Sequence, residues 1–435
     1  MPDPNPAAQC ATVEVPVDWS KPHGPKTGIF VARLRAADPA RRIGVLMSNP
    51  GGPWAPGADD ALHAGHPQKG VYTPEMLQRF DIVGFDPRGS HRSQQARCDE
   101  SIAGGITSRP RDAAAFEQMR TLNGRLAAGC LRLTGPLAAH MDTESVARDM
   151  DAIRAALGER RISFLGHSYG TLLGERYARL FPERLRALAL DSVMDPDRPN
   201  AERFLTDASV TADDTFKRLA AWCSTAPSCA LSGRDLAAVA AELFARAEAG
   251  TLRVPGPDGP TQAVADADGL SDFLTFLTWG WDPERAAREL AAVYTGTGTV
   301  HWPQHQGPSR DMQLVLCRDY DLRIRDHAEY RAIRERVARA APHVRVSTQG
   351  LDIVLGCQGW TVPPKARPAR VAGDLPRVLV ANATLDQRTP LPGARRMTQS
   401  FPRATLLTRD VVGHWLYSSE PTKGAFDAYL TDPRG

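Results

Sequence analysis

The chain has 435 residues and a mass of 47.3 kDa, with 42% hydrophobic and 24% charged residues. That length is enough to bury a core without metals or disulfides, and divided by about 150 it allows two to three domain-sized units. A net charge of +3 argues against nucleic acid or an anionic membrane as partner, and no run approaches the ~20 apolar residues of a membrane-spanning helix.

Met1 to Gln9 are proline-rich and polar, with no basic segment followed by an apolar one. A secretory signal is therefore not expected within this chain. Either the protein stays inside the cell or the numbering starts after a removed signal. Thr12–Val17, Ile29–Arg35 and Ile43–Ser48 read as strands, the last ending in the turn-rich Asn49-Pro50-Gly51-Gly52-Pro53. Asp81–Phe85 is a further strand, ending at Asp86-Pro87-Arg88-Gly89. Asp142–Gly158 is predicted as a helix, because Val146, Met150, Ile153 and Leu157 fall on one face. Asp142 or Thr143 can cap its start and Gly158 stands where it ends. Arg161–Leu165 is a strand, Gly170–Phe181 a helix stopped by Pro182, and Ala187–Asp191 a strand. Short strands alternating with helices imply a parallel sheet covered on both faces.

From Met194 to Pro376 the texture changes to mainly helical runs, such as Leu236–Ala249 and Pro283–Tyr294, broken by loops such as Pro255–Pro260. No strand–helix alternation is expected there. After Pro376 the first texture returns, with a strand at Arg377–Ala381, a helix at Pro392–Phe401, a strand at Ala404–Leu407 and a helix at Gly424–Leu430. The expected organisation is one α/β core, residues 1–193 and 377–435, interrupted by a helical insertion over 194–376. Six of the 53 basic residues are lysines and the rest arginines. Scattered as they are, the arginines read as a coding bias and not as a binding site. Seven cysteines form no CxxC pair, which disfavours a zinc ribbon. Their order suggests Cys98 with Cys130, Cys223 with Cys229 and Cys317 with Cys357, leaving Cys10. Sequence does not fix connectivity, and buried free thiols are the alternative.

The strongest chemical signal is Gly166-His167-Ser168-Tyr169-Gly170, between a predicted strand and a predicted helix. That is the context of a nucleophile elbow, in which a tight turn lifts the Ser168 hydroxyl above the sheet. A serine hydroxyl requires a base. His414, the one histidine beyond His343, follows the last predicted strand. The acid should follow the preceding strand, and Asp386 is the first carboxylate there, with Asp410 as runner-up. An oxyanion hole would take one donor from the Tyr169 backbone N–H. The other would come from the loop after the third strand, with Gly52 preferred and Gly51 the alternative.

The sequence Asn49–Pro53, Asp86–Gly89, Gly166–Gly170, Asp386 and His414, together with Gly174–Pro182, Leu190-Asp191 and Val15–Trp19, resembles the proline iminopeptidases and actinobacterial tripeptidyl aminopeptidases. The resemblance implies an α/β-hydrolase fold with a helical cap, a Ser168–His414–Asp386 triad, no cofactor, and cleavage near a peptide's N-terminus. It also implies secretion in many members, which fits paired cysteines. Members hold the substrate's α-amino group with cap carboxylates, and Glu202 is the candidate here. Two departures stand out. Trp54 occupies the position of a further glycine after Gly51-Gly52-Pro53 and is expected to narrow the acyl pocket or to form one wall of it. His91 replaces a small residue two positions after Asp86–Gly89 and reads as a surface histidine, with a second titrating group near the site as the alternative. The expected substrate is a peptide or peptide-like amide. An ester or amide of a specialised metabolite is the alternative, and a catalytically dead scaffold on the same fold is a third reading. Oligomeric state is left open.

Overall fold

The strands in chain order are β1 (Gln9–Pro16), β2 (Lys26–Leu34), β3 (Gly44–Asn49), β4 (Phe80–Phe85), β5 (Ile162–His167), β6 (Leu185–Asp191), β7 (Arg253–Gly256), β8 (Gly259–Val264), β9 (Val378–Leu385) and β10 (Ala404–Val412). This computed structural model describes residues 4–66, 70–103, 106, 109–197, 199–256, 259–302, 310–361, 370–373 and 375–434. Eight strands form one sheet in the order β1-β2-β4-β3-β5-β6-β9-β10. β2 runs antiparallel to both its neighbours, and every other pairing is parallel.

β3, β4 and β5 are buried along their whole length. Both faces of the sheet are therefore covered, and successive side chains enter different cores. Val45, Met47 and Phe164 join one apolar cluster, whereas Leu46, Ile82 and Leu165 join another. The helix Thr143–Ala156 starts where the Asp142 side chain accepts the Ser145 N–H at 3.0 Å, and it buries Val146, Met150 and Ile153 as the spacing predicts. Truncating Met150 to alanine there should cost about 2–5 kcal/mol.

Between β6 and β9 the chain is mainly helical, with helices including Ala201–Thr225, Leu236–Glu248, Ala267–Leu277, Pro283–Thr295, Arg310–Asp319 and Thr348–Gly356. Within this mainly helical stretch the chain also forms one antiparallel pair, β7 and β8, which the sequence expectation does not include. Its short runs carry proline and glycine, so its composition is that of a loop. Pro257 and Asp258 of the expected loop lie outside the described residues. The sequence reading also passed over the helix Ala113–Thr134. Phe116, Met119 and Leu126 of this helix share a cluster with Leu314, Ile333 and Leu351 of the insertion and with Val17, Tyr169 and Leu172.

Disulfides link Cys98–Cys130, Cys223–Cys229 and Cys317–Cys357, and Cys10 is free and exposed. No helix among the described residues is long and apolar enough to cross a membrane.

Candidate active site

Ser168 sits at φ 56° and ψ −121°, between the end of β5 and the helix Tyr169–Leu180. This is a strained conformation for a residue with a Cβ, of the kind that accumulates at functional sites. The surroundings hold the turn closely. The Ser168 N–H donates to the Asp191 carbonyl at 3.0 Å, and the Thr171 hydroxyl donates to the Ser168 carbonyl at 2.6 Å. A Cβ on Gly170 would stand 2.4 Å from the Asn49 carbonyl oxygen, so only glycine lets the two segments meet.

Strand register assembles the rest. Asn49 pairs with Gly166, which brings the loop after β3 against the Ser168 turn. Gly51 adopts φ 103°, and a Cβ there would lie 2.8 Å from the Ser168 Cβ. The Gly51 N–H donates to Asn49 Oδ1 at 3.0 Å. Gly52, in contrast, lines the cavity over Ser168. At the far edge, Val412 pairs with Leu385, so the residues after β9 and β10 emerge side by side.

The His414 Nδ1–H donates to Asp386 Oδ2 at 2.8 Å, which leaves Nε2 free of that bond. Asp386 is 1% exposed. Its Oδ1 accepts the Arg388 and Thr389 N–H groups at 3.0 Å each, and its Oδ2 also accepts the Thr389 hydroxyl at 2.7 Å. Four donors thus fix the carboxylate. Asp410 lies elsewhere. Its side chain is 74% exposed, it is ion-paired with Arg218, and it accepts the Thr384 hydroxyl at 2.8 Å. That hydroxyl and Arg218 hold its carboxyl below the usual range. Ser168, His414, Gly52 and Trp54 all line one cavity of about 330 Å³.

The α/β-hydrolase fold family matches residues 63–421. The chain belongs to that family.

Among its curated relatives is a tripeptidyl aminopeptidase of Streptomyces lividans, 28% identical over 433 residues, which cover 93% of this chain and 78% of that protein. The serine protease Hip1 of Mycobacterium tuberculosis is 30% identical, covering 94% and 81% respectively. A carboxylesterase B of M. tuberculosis is also 30% identical, covering 94% and 80%. A solved proline iminopeptidase of Mycobacterium smegmatis aligns over 97% of this chain and 98% of that one, with a TM-score of 0.43 at 15% identity.

In this hydrolase the segment between β6 and β9 contributes Phe204, Met312, Leu316 and Ile353 to the apolar lining of the cavity. Trp54 is half-buried on the cavity. Glu202 does not reach it. Glu202 is held on the surface by Arg336, with contacts of 2.6 and 2.8 Å, and is not among the cavity's lining residues. Among the described residues, the acids that do line the cavity are Asp195 and Asp207, both bonded to Arg396. Burial raises the Asp195 carboxyl above its usual range against the opposing pull of Arg396. Sequence offers no signal for this trio, because Arg396 stands 201 residues from Asp195.

His91 is exposed with φ 43° and does not line the cavity. The Asp86–Gly89 loop braces the fold instead. Buried Arg88 bonds both Asp149 oxygens, at 2.6 and 2.5 Å, and the carbonyls of Pro16, Val17 and His140. Sequence reading also missed the role of Asp191. Its carboxylate accepts the Leu416 and Tyr417 N–H groups at 3.1 and 3.0 Å, pinning the segment that follows His414. Asp191 also faces His167 Nδ1 at 3.3 Å, and the His167 ring stands 4.7 Å from that of His414. Burial lowers the pKa of His167, which favours the neutral ring.

Proposed function

We propose that this hydrolase cleaves peptide-like amide bonds as an exopeptidase acting near a free N-terminus, through an acyl-enzyme. Ser168 Oγ attacks the carbonyl while His414 Nε2 takes its proton and returns it to the leaving amine. Asp386 orients the ring and stabilises the imidazolium. The N–H groups of Tyr169 and Gly52 hold the oxyanion; the Gly51 N–H is already engaged by Asn49, which favours Gly52. Water then repeats the sequence on the ester. The observation that carries this reading is the 2.8 Å contact of His414 with Asp386 at a cavity that Ser168 also lines.

Residues 194–376 act as a cap over a core formed by 1–193 and 377–435. Asp195 and Asp207, not Glu202, are the acids that a substrate ammonium would meet in the cavity. Three disulfides support an extracytoplasmic location. The mechanism calls on no cofactor, nucleic acid or membrane. Hydrolysis of an ester or amide of a specialised metabolite is the second reading, favoured by the apolar cavity wall and by a relative named carboxylesterase.

The test is a fluorophosphonate probe followed by a substrate panel. The probe should label wild type at Ser168 and leave Ser168→Ala unlabelled. N-terminally free peptidyl anilides should turn over faster than their blocked counterparts. Turnover of simple esters alone would replace the peptidase reading by the second one. An unlabelled wild-type protein would remove both.

A further inference from the structure

The fold gathers arginines that the sequence scatters. In a run of parallel strands every strand starts at the same edge of the sheet. Arg79, Arg161, Arg377 and Arg403 each immediately precede a strand, namely β4, β5, β9 and β10, and Arg186 is the second residue of β6. These five and Arg434 line a single cleft of about 740 Å³. Ser168, Asp386 and His414 follow strand ends, so the cleft lies at the edge of the sheet opposite the catalytic cavity.

Six guanidinium groups share that lining with one carboxylate, Asp432, among the described residues. Several are held in place by neutral oxygens. The Arg186 Nη1–H groups donate to the Leu430 carbonyl at 2.6 Å and the Ser163 hydroxyl at 3.0 Å, and its Nη2–H donates to the Thr431 carbonyl at 2.7 Å. The Arg161 Nε–H donates to the Glu183 carbonyl at 2.9 Å. Such bonds orient the forks without neutralising their charge. Arg79 is ion-paired with Glu75 at 3.2 Å. Burial lowers the pKa of Arg186, opposed by Tyr429 and Asp432 and reinforced by Arg79 and Arg434. Six arginines against one acid in the described lining still make the cleft basic.

We propose that this cleft binds a small multivalent oxyanion, a chain of two or three linked phosphoryl groups. Planar guanidinium forks match phosphoryl oxygens two at a time. Forks arriving from five strand starts and the C-terminal segment surround a linear chain of phosphoryl groups better than a single tetrahedral anion. The volume lies within the usual range for a small-ligand site, about 300–1,000 Å³.

The probes are sodium tripolyphosphate, adenosine triphosphate and sulfate, titrated calorimetrically into the full chain at one ionic strength. Tripolyphosphate or the nucleotide should bind one-to-one and at least tenfold tighter than sulfate, and the tighter of the two identifies the source. Arg377→Gln combined with Arg434→Gln, both at exposed positions, should weaken binding at least tenfold at unchanged Tm. If that pair fails to fold, Arg377→Lys with Arg434→Lys keeps the charge, removes the forks and should still weaken binding. Enzyme phosphonylated at Ser168 should bind as well as free enzyme. Equal affinities for sulfate and tripolyphosphate, unchanged affinity in the folded variant, or loss of binding on Ser168 labelling would each overturn the proposal.

Discussion

At the scale of single residues, two carboxylates stand near the last strands and only one is built into a site. Asp386 is buried and takes four donors, one of them His414, whereas Asp410 points to solvent beside Arg218. Asp386→Asn should therefore lower kcat by a factor on the order of 10⁴, because the amide cannot hold the required tautomer. Asp410→Asn should stay within about threefold of wild type, since its ion pair with Arg218 is exposed and screened by solvent. Steady-state kinetics of the two variants decide the assignment, and the reverse pattern would give the role to Asp410. Trp54 gives a second residue-scale test. Its half-buried ring lines the cavity next to Gly52. Trp54→Gly should widen the range of accepted acyl groups, with shifts of roughly 1–3 kcal/mol per methylene-sized step in relative kcat/KM. Unchanged ratios across an acyl series would mean that the ring does not touch substrate. Ser168, Asp386 and His414 were legible because each has a local signature: a pentapeptide, or a place just after a strand. Asp195, Asp207 and Arg396 were not, because their meeting depends on how the insertion lies over the core.

At the scale of elements, the alternating strands and helices could be read because buried parallel strands are short, apolar and bounded by glycine, proline or polar turns. The strand β5 and the helix Tyr169–Leu180 that follows it differ from expectation by a residue or two at their ends. The helix Ala113–Thr134 escaped notice because its apolar residues are diluted by alanine, glycine and arginine, and they are buried only against distant parts of the chain. The hairpin β7–β8 escaped because its residues read as a loop. Disulfides supply part of what these elements lack. Cys317–Cys357 joins the helix Arg310–Asp319 to the end of Thr348–Gly356, and Met312, Leu316 and Ile353 of that pair form a cavity wall. The bond closes a sequence separation of 40 residues. Chain-entropy reasoning then gives up to about 4 kcal/mol of stabilisation. Replacing both cysteines by alanine should lower Tm by several degrees and raise KM more than it lowers kcat. Peptide mapping without reductant should find the three linked pairs and an alkylatable Cys10. A double variant with wild-type Tm and KM would show that the wall holds its shape without the bond.

At the scale of the molecule, the apolar clusters divide the chain differently from its sequence textures. One cluster joins the core to the insertion, through Tyr169 and Leu172 on one side and Leu316 and Leu351 on the other. A separate cluster, including Phe216, Leu243, Phe273 and Leu290, is formed entirely by residues between 212 and 344. The helices Leu236–Glu248, Ala267–Leu277 and Pro283–Thr295 contribute their buried side chains to this second cluster. A unit with its own core can open without breaking the central sheet, and such openings cost less than global unfolding. Where the second cluster meets the loop after β9, the contact is specific. Gln387 Nε2–H donates to the Thr278 carbonyl and hydroxyl at 3.1 and 2.8 Å, and the Arg388 guanidinium lies 4.4 Å above the Trp279 ring. Asp386 and Thr389, which contact His414, flank those two residues. Amide hydrogen exchange read by mass spectrometry should therefore show these three helices exchanging before β5 and the helix Tyr169–Leu180. Gln387→Ala removes two hydrogen bonds from the junction and should speed exchange further in Ala267–Leu277, with little change in β5. On the proposed peptidase reading it should also lower kcat for long peptides more than the labelling rate by a small fluorophosphonate. Equal protection of the three helices and β5 in wild type would mean that core and insertion open as one unit, and faster exchange in β5 of the variant would mean that Gln387 supports the sheet itself.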